Sequence, residues 1–383
     1  MGGNFRVKVG YAKFEKEEKT VASVIEQIKQ ENTRLVVFFC SSHFDQEKIA
    51  RAFQDESRDP CFDSATFVGC TTDVAITSRG FQSNSLAAMS INSDSIKVGI
   101  GLGKNIDKDP ISAARTAVTE AARQLNTAPD RLDDKFVGIV LIDGTCEVEE
   151  FVMMGIAKTA RRLKTVGGSA GDDYSFNKVF LHLNFETFKN ALIFILIRTD
   201  APFATICTNN YLPTSKQLRV TKADPEKRVV YEFNGRPAVS EYCRAIGSKT
   251  KDINPETFVA HPLGIKIGDN YYLRSPLRAE NDGGLKFFSR ITENSSLTVM
   301  DPGNLIAETG KAVDTARNKL GKINAMIVFN CCLRYIESEV QRSTLEISKI
   351  LSAAPVCGFN TYGEQYEGLH INQTLTMLVF GEA

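Results

Sequence analysis

Residues 165–173 read Thr-Val-Gly-Gly-Ser-Ala-Gly-Asp-Asp, and the chain is organised outward from them. Gly167, Gly168 and Gly171 free the backbone for positive φ and for close approach to another surface. The stretch therefore predicts a glycine turn at which chain or ligand meets main chain. Two other stretches share its character, Val68-Gly69-Cys70-Thr71-Thr72-Asp73 and Cys357-Gly358-Phe359-Asn360-Thr361-Tyr362-Gly363-Glu364.

The surroundings of the three stretches match. Each is preceded by an apolar strand-like run, at 35–40, 137–143 and 325–331, and then by a helical pattern. Each is followed by a second apolar run ready to pair, at 85–91, 190–197 and 374–380. Glycine after a strand is common in α/β proteins, but three copies in one order favour a repeat. The expected fold is α/β, with mixed sheets and flanking helices built from three related units of strand, helix, glycine turn and strands. Gly69, Gly168 and Gly358 are the expected counterparts.

A chain of 383 residues exceeds one ordinary core, so two domains or one large one are expected. Apolar content of 43% and charged content of 24% are those of a water-soluble globular protein. Basic and acidic residues balance at 46 each, which supplies no overall field for nucleic acid or membrane. No apolar run approaches the ~20 residues of a membrane span. The start, MGGNFRVKVG, lacks a signal-peptide core, and Arg6 stands where a myristoylation signal needs Ser or Thr. Cys40, Cys70, Cys207, Cys331 and Cys357 lie in or beside apolar runs, as buried reduced thiols do. These features predict a cytoplasmic protein.

In order, 6–12 reads as a strand, 20–31 as an amphipathic helix, 35–40 as a buried strand and 45–53 as a helix. Strands 85–91 and 95–102 are expected to form a hairpin through Asn92-Ser93-Asp94, and helices follow at 111–125 and 147–163. The polar, turn-rich 209–217 suggests a boundary between an N-terminal domain, 1–210, and a C-terminal domain, 218–383. Beyond it, 263–267, 271–274 and 285–289 read as an antiparallel meander. Helices at 304–320 and 336–351 complete the third unit.

Candidate chemistry is sparse. Asp143, Asp172 and Asp173 resemble an acid/base or metal cluster, but carboxylates at turns more often cap helices or face water. The glycine-rich 167–171 lacks the lysine of a phosphate loop. Cys331 or Cys332 as a nucleophile would need a histidine. His261, in Phe258-Val259-Ala260-His261-Pro262-Leu263-Gly264, is a lone imidazole among apolar side chains. Such a residue is usually a satisfied core histidine, yet it is also what an axial haem ligand looks like. His182 alternates along 179–185 and is expected to face the same cavity.

GCTTD, VLIDG and VGGSAGDD resemble the N-terminal half of the FIST domain. VVYEFNGRPA, HPLGIKIGDNYYLRSPLR, VFNCCLRY and GFNTYGEQ resemble its C-terminal half, so the likeness spans nearly the whole chain. The resemblance implies a bacterial sensor without catalytic activity that binds small ligands such as amino acids. A subset of stand-alone length binds haem and senses nitric oxide, reporting to a histidine kinase. With no kinase or receiver segment in this chain, the output is expected to go to a separate partner, a histidine kinase or a cyclic-nucleotide signalling enzyme. Association with further copies of the chain stays open.

Two ligand expectations follow from the resemblance. In the first, haem b sits on His261, with His182 as second choice and Phe258, Leu263 and Gly168 around it, and takes up a diatomic gas. In the second, Arg274 and Arg278 of YYLRSPLR hold the carboxylate of a small metabolite, with Asp172 nearby, although the stretch reads equally as a strand with solvated arginines.

Overall fold

The computed structural model describes residues 5–94 and 96–382. Residues 1–4 of the start read for a signal, and Ser95, the expected first residue of a strand, lie outside them, whereas Arg6 begins the first strand.

The first unit contains β1 (Arg6–Lys13), α1 (Glu17–Ile28), β2 (Leu35–Ser41), α2 (Gln46–Glu56), β3 (Thr66–Thr72), β4 (Val74–Thr77), β5 (Gly80–Ser83) and β6 (Ser85–Asn92). The second contains β7 (Ile96–Lys104), α3 (Pro110–Gln124), β8 (Phe136–Asp143), α4 (Glu149–Thr159), β9 (Lys164–Ala170), β10 (Leu181–Leu183), β11 (Glu186–Phe188) and β12 (Ala191–Thr199).

The third unit opens with β13 (Phe203–Thr208) and is then interrupted. The insertion holds β14 (Tyr211–Asp224), β15 (Val229–Phe233), β16 (Arg236–Pro237), α5 (Ala238–Ile246), α6 (Pro255–Ala260), β17 (Leu263–Ile267), β18 (Asn270–Arg274), β19 (Pro276–Ala279), β20 (Leu285–Phe287) and β21 (Ser296–Pro302). The unit resumes with α7 (Leu305–Leu320), β22 (Ile323–Cys331), α8 (Cys332–Val340), α9 (Thr344–Leu351), β23 (Val356–Thr361), β24 (Glu364–Tyr366), β25 (Leu369–Ile371) and β26 (Leu375–Gly381).

One topology occurs three times: β1-β6-β2-β3, β7-β12-β8-β9 and β13-β26-β22-β23. The central pairs β2/β3, β8/β9 and β22/β23 are parallel, so each needs a crossover, supplied by α2, by α4 and by α8 with α9. Their long apolar runs follow from burial on both faces. Outward faces pack on helices. Inward faces meet in one core to which all three sheets contribute, including Phe39, Ile139, Phe329 and Phe359. Phe39 stacks on Phe359 at 4.6 Å, and each such buried ring contributes about 2–3 kcal/mol.

The units also exchange hairpins in a cycle. β4–β5 of the first extends the third sheet through β23. β10–β11 of the second extends the first sheet through β3, and β24–β25 of the third extends the second through β9. Each exchange covers a strand edge that would otherwise be exposed.

Several expectations change. The glycine stretches are strands, not turns, and Gly69, Gly167, Gly168, Gly171 and Gly358 do not have positive φ. Register makes Gly167, not Gly168, the counterpart of Gly69 and Gly358. Each of these three lies beside its parallel partner (Phe38, Val140 or Val328), and a Cβ would strike that partner's carbonyl oxygen. β6 and β7 belong to different sheets, because each pairs within its own unit instead of forming a hairpin. The polar 209–217 is largely the first half of β14, paired with β21. The expected meander is split: β20 pairs with β15 and with β19, a short strand the sequence pattern does not reveal. The helix read over 336–351 is two helices, parted at Arg342 with φ 55°.

Candidate functional site

The carboxyl ends of β8, β9 and β23 converge at one end of the three-unit core, the place where open parallel sheets generally leave a crevice. The insertion lies against that end and encloses a cavity of about 170 Å³. The loop after β8 contributes Gly144, Thr145 and Glu147, and the first turn of α4 contributes Glu149. Phe176 follows β9 and Tyr362 follows β23. The inserted sheet supplies Arg228, Leu277, Arg278, Phe287 and Phe288.

Arg228 is the centre of the polar wall. It is 3% exposed, and its Nη2 meets Glu149 at 2.5 Å and Glu150 at 2.7 Å. Its Nη1 donates to the Phe288 carbonyl at 2.6 Å, while Nε has no partner. Burial would lower the Arg228 pKa, but the carboxylates of Glu149 and Glu150 outweigh it and hold the guanidinium charged. Burial likewise pushes the Glu150 carboxyl up, yet Arg228, His370 and the Arg290 amide bring it to about 2. Two acidic residues at the start of α4 also complement the helix dipole. Lys286 pairs with Glu147 at 2.8 Å, so the insertion is fastened to the second unit mainly by charge.

Arg278 lines the cavity as the sequence reading of YYLRSPLR expects, half-exposed and 3.0 Å from Glu280. Arg274 does not line it; its Nη1 donates to the Leu273 carbonyl at 2.9 Å. Asp172 is 1% exposed and fully engaged in holding its own loop, accepting from the amides of Phe176, Asn177 and Lys178, from Ser175 and from Tyr362. Burial raises its pKa, but these hydrogen bonds together bring it below the usual carboxylate range. Asp143 is similarly occupied, accepting from Thr145 and from the Asn190 amide.

The two histidines are not brought together. His182, on β10, is fully buried beside Phe38 with Nε2 3.0 Å from Gln46, and burial lowers its pKa to about 3. His261 caps α6 in the insertion, its Nδ1 3.2 Å from Asp301 and its side chain 34% exposed. A carboxylate on one ring nitrogen suits a metal-ligating imidazole. Its expected apolar neighbours do not suit a porphyrin, because Phe258 and Leu263 are 4% and 0% exposed and packed into the core of the insertion. Gly168 lies in the central core against Thr361, Phe359 and Phe329, remote in role from either histidine. The residues around His261 and His182 therefore do not fit haem.

All nine cysteines are free; Cys40, Cys70, Cys331 and Cys357 are buried and Cys207 partly so. Burial raises the Cys331 thiol well above its ordinary pKa, with Cys332 adding to the effect. Among the described residues, no group of three or more His, Cys, Asp or Glu is arranged to hold a metal ion, and no helix is long and apolar enough to cross a membrane. Sequence reasoning missed Arg228, Glu149 and Phe176. Arg228 sits in Pro-Glu-Lys-Arg, which looks like any solvated turn, and nothing local marks it as buried.

The FIST N domain family matches residues 34–236 and the FIST C domain family residues 238–367. An uncharacterized protein of Methanocaldococcus jannaschii is 24% identical over 327 residues, covering 80% of this chain and 62% of that relative. The chain thus spans less than two thirds of that protein. A crystal structure of cyanuric acid hydrolase from A. caulinodans aligns over 99% of this chain and 100% of that one, at 8% identity and TM-score 0.42. PurLQS from Thermotoga maritima aligns over 100% of this chain and 73% of that one, at 10% identity and TM-score 0.22. Likenesses this distant carry no chemistry across.

Proposed function

Because the chain belongs to the FIST family, whose domains suggest a sensory, ligand-binding role in signalling, we propose that it binds a small carboxylate-bearing metabolite, such as an amino acid, between the second unit and the insertion. The observation that carries this reading is a cavity whose wall holds two guanidinium groups, Arg278 and the buried Arg228, the second with an Nε that has no partner. A guanidinium presents fixed donors to a carboxylate, and Phe176, Phe287, Phe288 and Tyr362 offer apolar surface to the rest of the ligand. Glu147 and Glu149 stand within the same wall for an ammonium group. The volume limits the ligand to a few heavy atoms beyond its charged groups. The protein acts without catalysis in this reading: the oxygens of Asp143 and Asp172 are occupied by loop donors, and the Cys331 thiol is held protonated. Occupancy would be reported to a separate signalling partner by population shift, the partner preferring one seating of the insertion.

The test is a thermal-shift screen of the twenty amino acids and simple carboxylates, followed by titration calorimetry with wild type and Arg278→Ala. A ligand at about 100 times its Kd should stabilise by about 2.7 kcal/mol. If no carboxylate shifts the melting temperature, or if Arg278→Ala binds as wild type does, the reading is wrong. A haem titration run alongside would restore haem at His261 if wild type develops a Soret band that His261→Ala lacks.

A further inference from the structure

A second cavity opens at the same end of the core, about 270 Å³ in volume, with His43, Asp73, Asp173, Tyr174, Tyr335 and Glu339 in its wall. It is related to the first by the repeat. Asp73 and Tyr362 occupy corresponding positions, four residues beyond Gly69 and Gly358 respectively. Asp73 contributes to the cavity beside α8, and Tyr362 to the cavity beside α4. The two differ in character, the first walled by two arginines, two glutamates and aromatic rings, the second largely by acids and tyrosines.

A single segment runs between them. Tyr174 lines the second, acidic cavity, and Phe176, two residues on, lines the first. Asp173, Tyr174 and Phe176 all have left-handed backbones, with φ of 60°, 59° and 53°. Side chains other than glycine hold such a conformation only where the surroundings over-determine it. Here one carboxylate does so. Asp172 accepts from the amides of Phe176 and Asn177 at 2.8 Å and of Lys178 at 2.6 Å, and from the Ser175 hydroxyl at 2.6 Å. The Tyr362 hydroxyl donates to the same carboxylate at 2.8 Å and accepts the Tyr174 amide at 2.6 Å. The Phe176 and Tyr362 rings are 4.9 Å apart. Because five donors converge on this one carboxylate, any displacement of the Asp172 side chain strains all of them at once, which favours opening of the segment as a unit.

We infer that residues 172–178 form one latch serving both cavities, fastened by Tyr362 on Asp172, so that opening at Phe176 in the first cavity also displaces Tyr174 from the second. The regulatory use of this latch rests on the reading of the first cavity as a ligand site; the latch itself does not. Occupancy of the first cavity would then set the shape of the second, giving the sensor an output surface on the far side of the same loop.

The chain has no tryptophan, so an indole placed in the loop reports alone. Phe176→Trp and Tyr174→Trp are made separately in the full chain, each with and without Tyr362→Phe, and acrylamide quenching is measured. Removing the hydroxyl takes a donor from a buried carboxylate and should raise the opening equilibrium at least about tenfold. Quenching should therefore rise at both positions together. A rise at position 176 alone, or at neither, overturns the latch. A carboxylate that binds wild type should change quenching at both positions; binding without any change at 174 refutes the coupling while leaving the ligand site intact. If both positions respond to Tyr362→Phe but no carboxylate binds wild type, the latch stands and the ligand reading falls. Should Tyr362→Phe fail to fold, hydrogen exchange in wild type decides. The amides of Tyr174, Phe176, Asn177 and Lys178 should share one opening free energy, and scattered protection would contradict the proposal.

Discussion

Arg228 and Glu149 meet at 2.5 Å with side chains only 4% and 2% exposed, and their pairing fastens the inserted sheet to the second unit. Glu149 is further tied to Ser169 at 3.3 Å, and Ser169 accepts from Gln365 at 3.0 Å, so the pair is anchored in the third unit as well. The insertion is therefore placed by a buried electrostatic joint beside a cavity, so the carboxylate ligand proposed above would compete for the guanidinium that holds the joint.

Breaking that joint from one side should be costly. Arg228→Met leaves the buried Glu149 and the partly buried Glu150 without their counter-ion and is expected to lose about 3–5 kcal/mol in urea denaturation. Adding Glu149→Gln and Glu150→Gln to the same protein should recover much of the loss, since the uncompensated charges go with them. A loss below about 1 kcal/mol for the single variant would mean that water reaches the pair in solution.

Arg278 should separate binding from stability. Its pair with Glu280 is half in water and contributes about 0–1 kcal/mol, so Arg278→Ala should leave the urea midpoint nearly unchanged. Its carboxylate affinity, measured by calorimetry, should fall about tenfold or more, since hydrogen bonds to charged groups contribute about 1.5–3 kcal/mol.

The glycines divide into two kinds. A Cβ at Gly167 would strike the Val140 carbonyl oxygen, which is backbone in a central strand and has nowhere to move. A Cβ at Gly168 meets Thr361, the Phe359 ring at 2.9 Å and the Phe329 ring at 3.1 Å, side chains that can shift. Gly168→Val should cost about 1–3 kcal/mol by overpacking. Gly167→Ala, though smaller, should cost at least as much, and Gly69→Ala and Gly358→Ala should behave like it. Equal tolerance at 167 and at an exposed turn glycine would count against the close strand approach.

His182 gives a pH dependence with a definite sign. Its folded pKa of about 3 lies below the ~6.5 of an unfolded histidine, so between these values the unfolded chain binds a proton that the native chain does not. Stability from the neutral ring is complete above pH ~6.5 and is lost as pH falls toward 3, with a slope of up to about 1.4 kcal/mol per pH unit. His182→Leu should reduce the slope of stability against pH between 6 and 4 by about one proton. An unchanged slope would show that the ring titrates normally in the native state.

The three-unit plan was legible in the sequence because period and composition are local. Runs such as 35–40, 137–143 and 325–331 are apolar on both faces wherever a strand is covered twice, and glycine recurs where strand and partner come too close for a Cβ. The same stretches look like turns in the sequence because glycine marks both conformational freedom and close approach, and only the neighbouring strand distinguishes them. Tertiary structure alone decided which strands pair: the hairpins of β4, β10 and β24 find their partners in other units, and no residue in them records that choice. It alone also made Arg228 a buried counter-ion and Asp172 the anchor of a loop, because desolvation is conferred by chain segments that lie tens to hundreds of residues away.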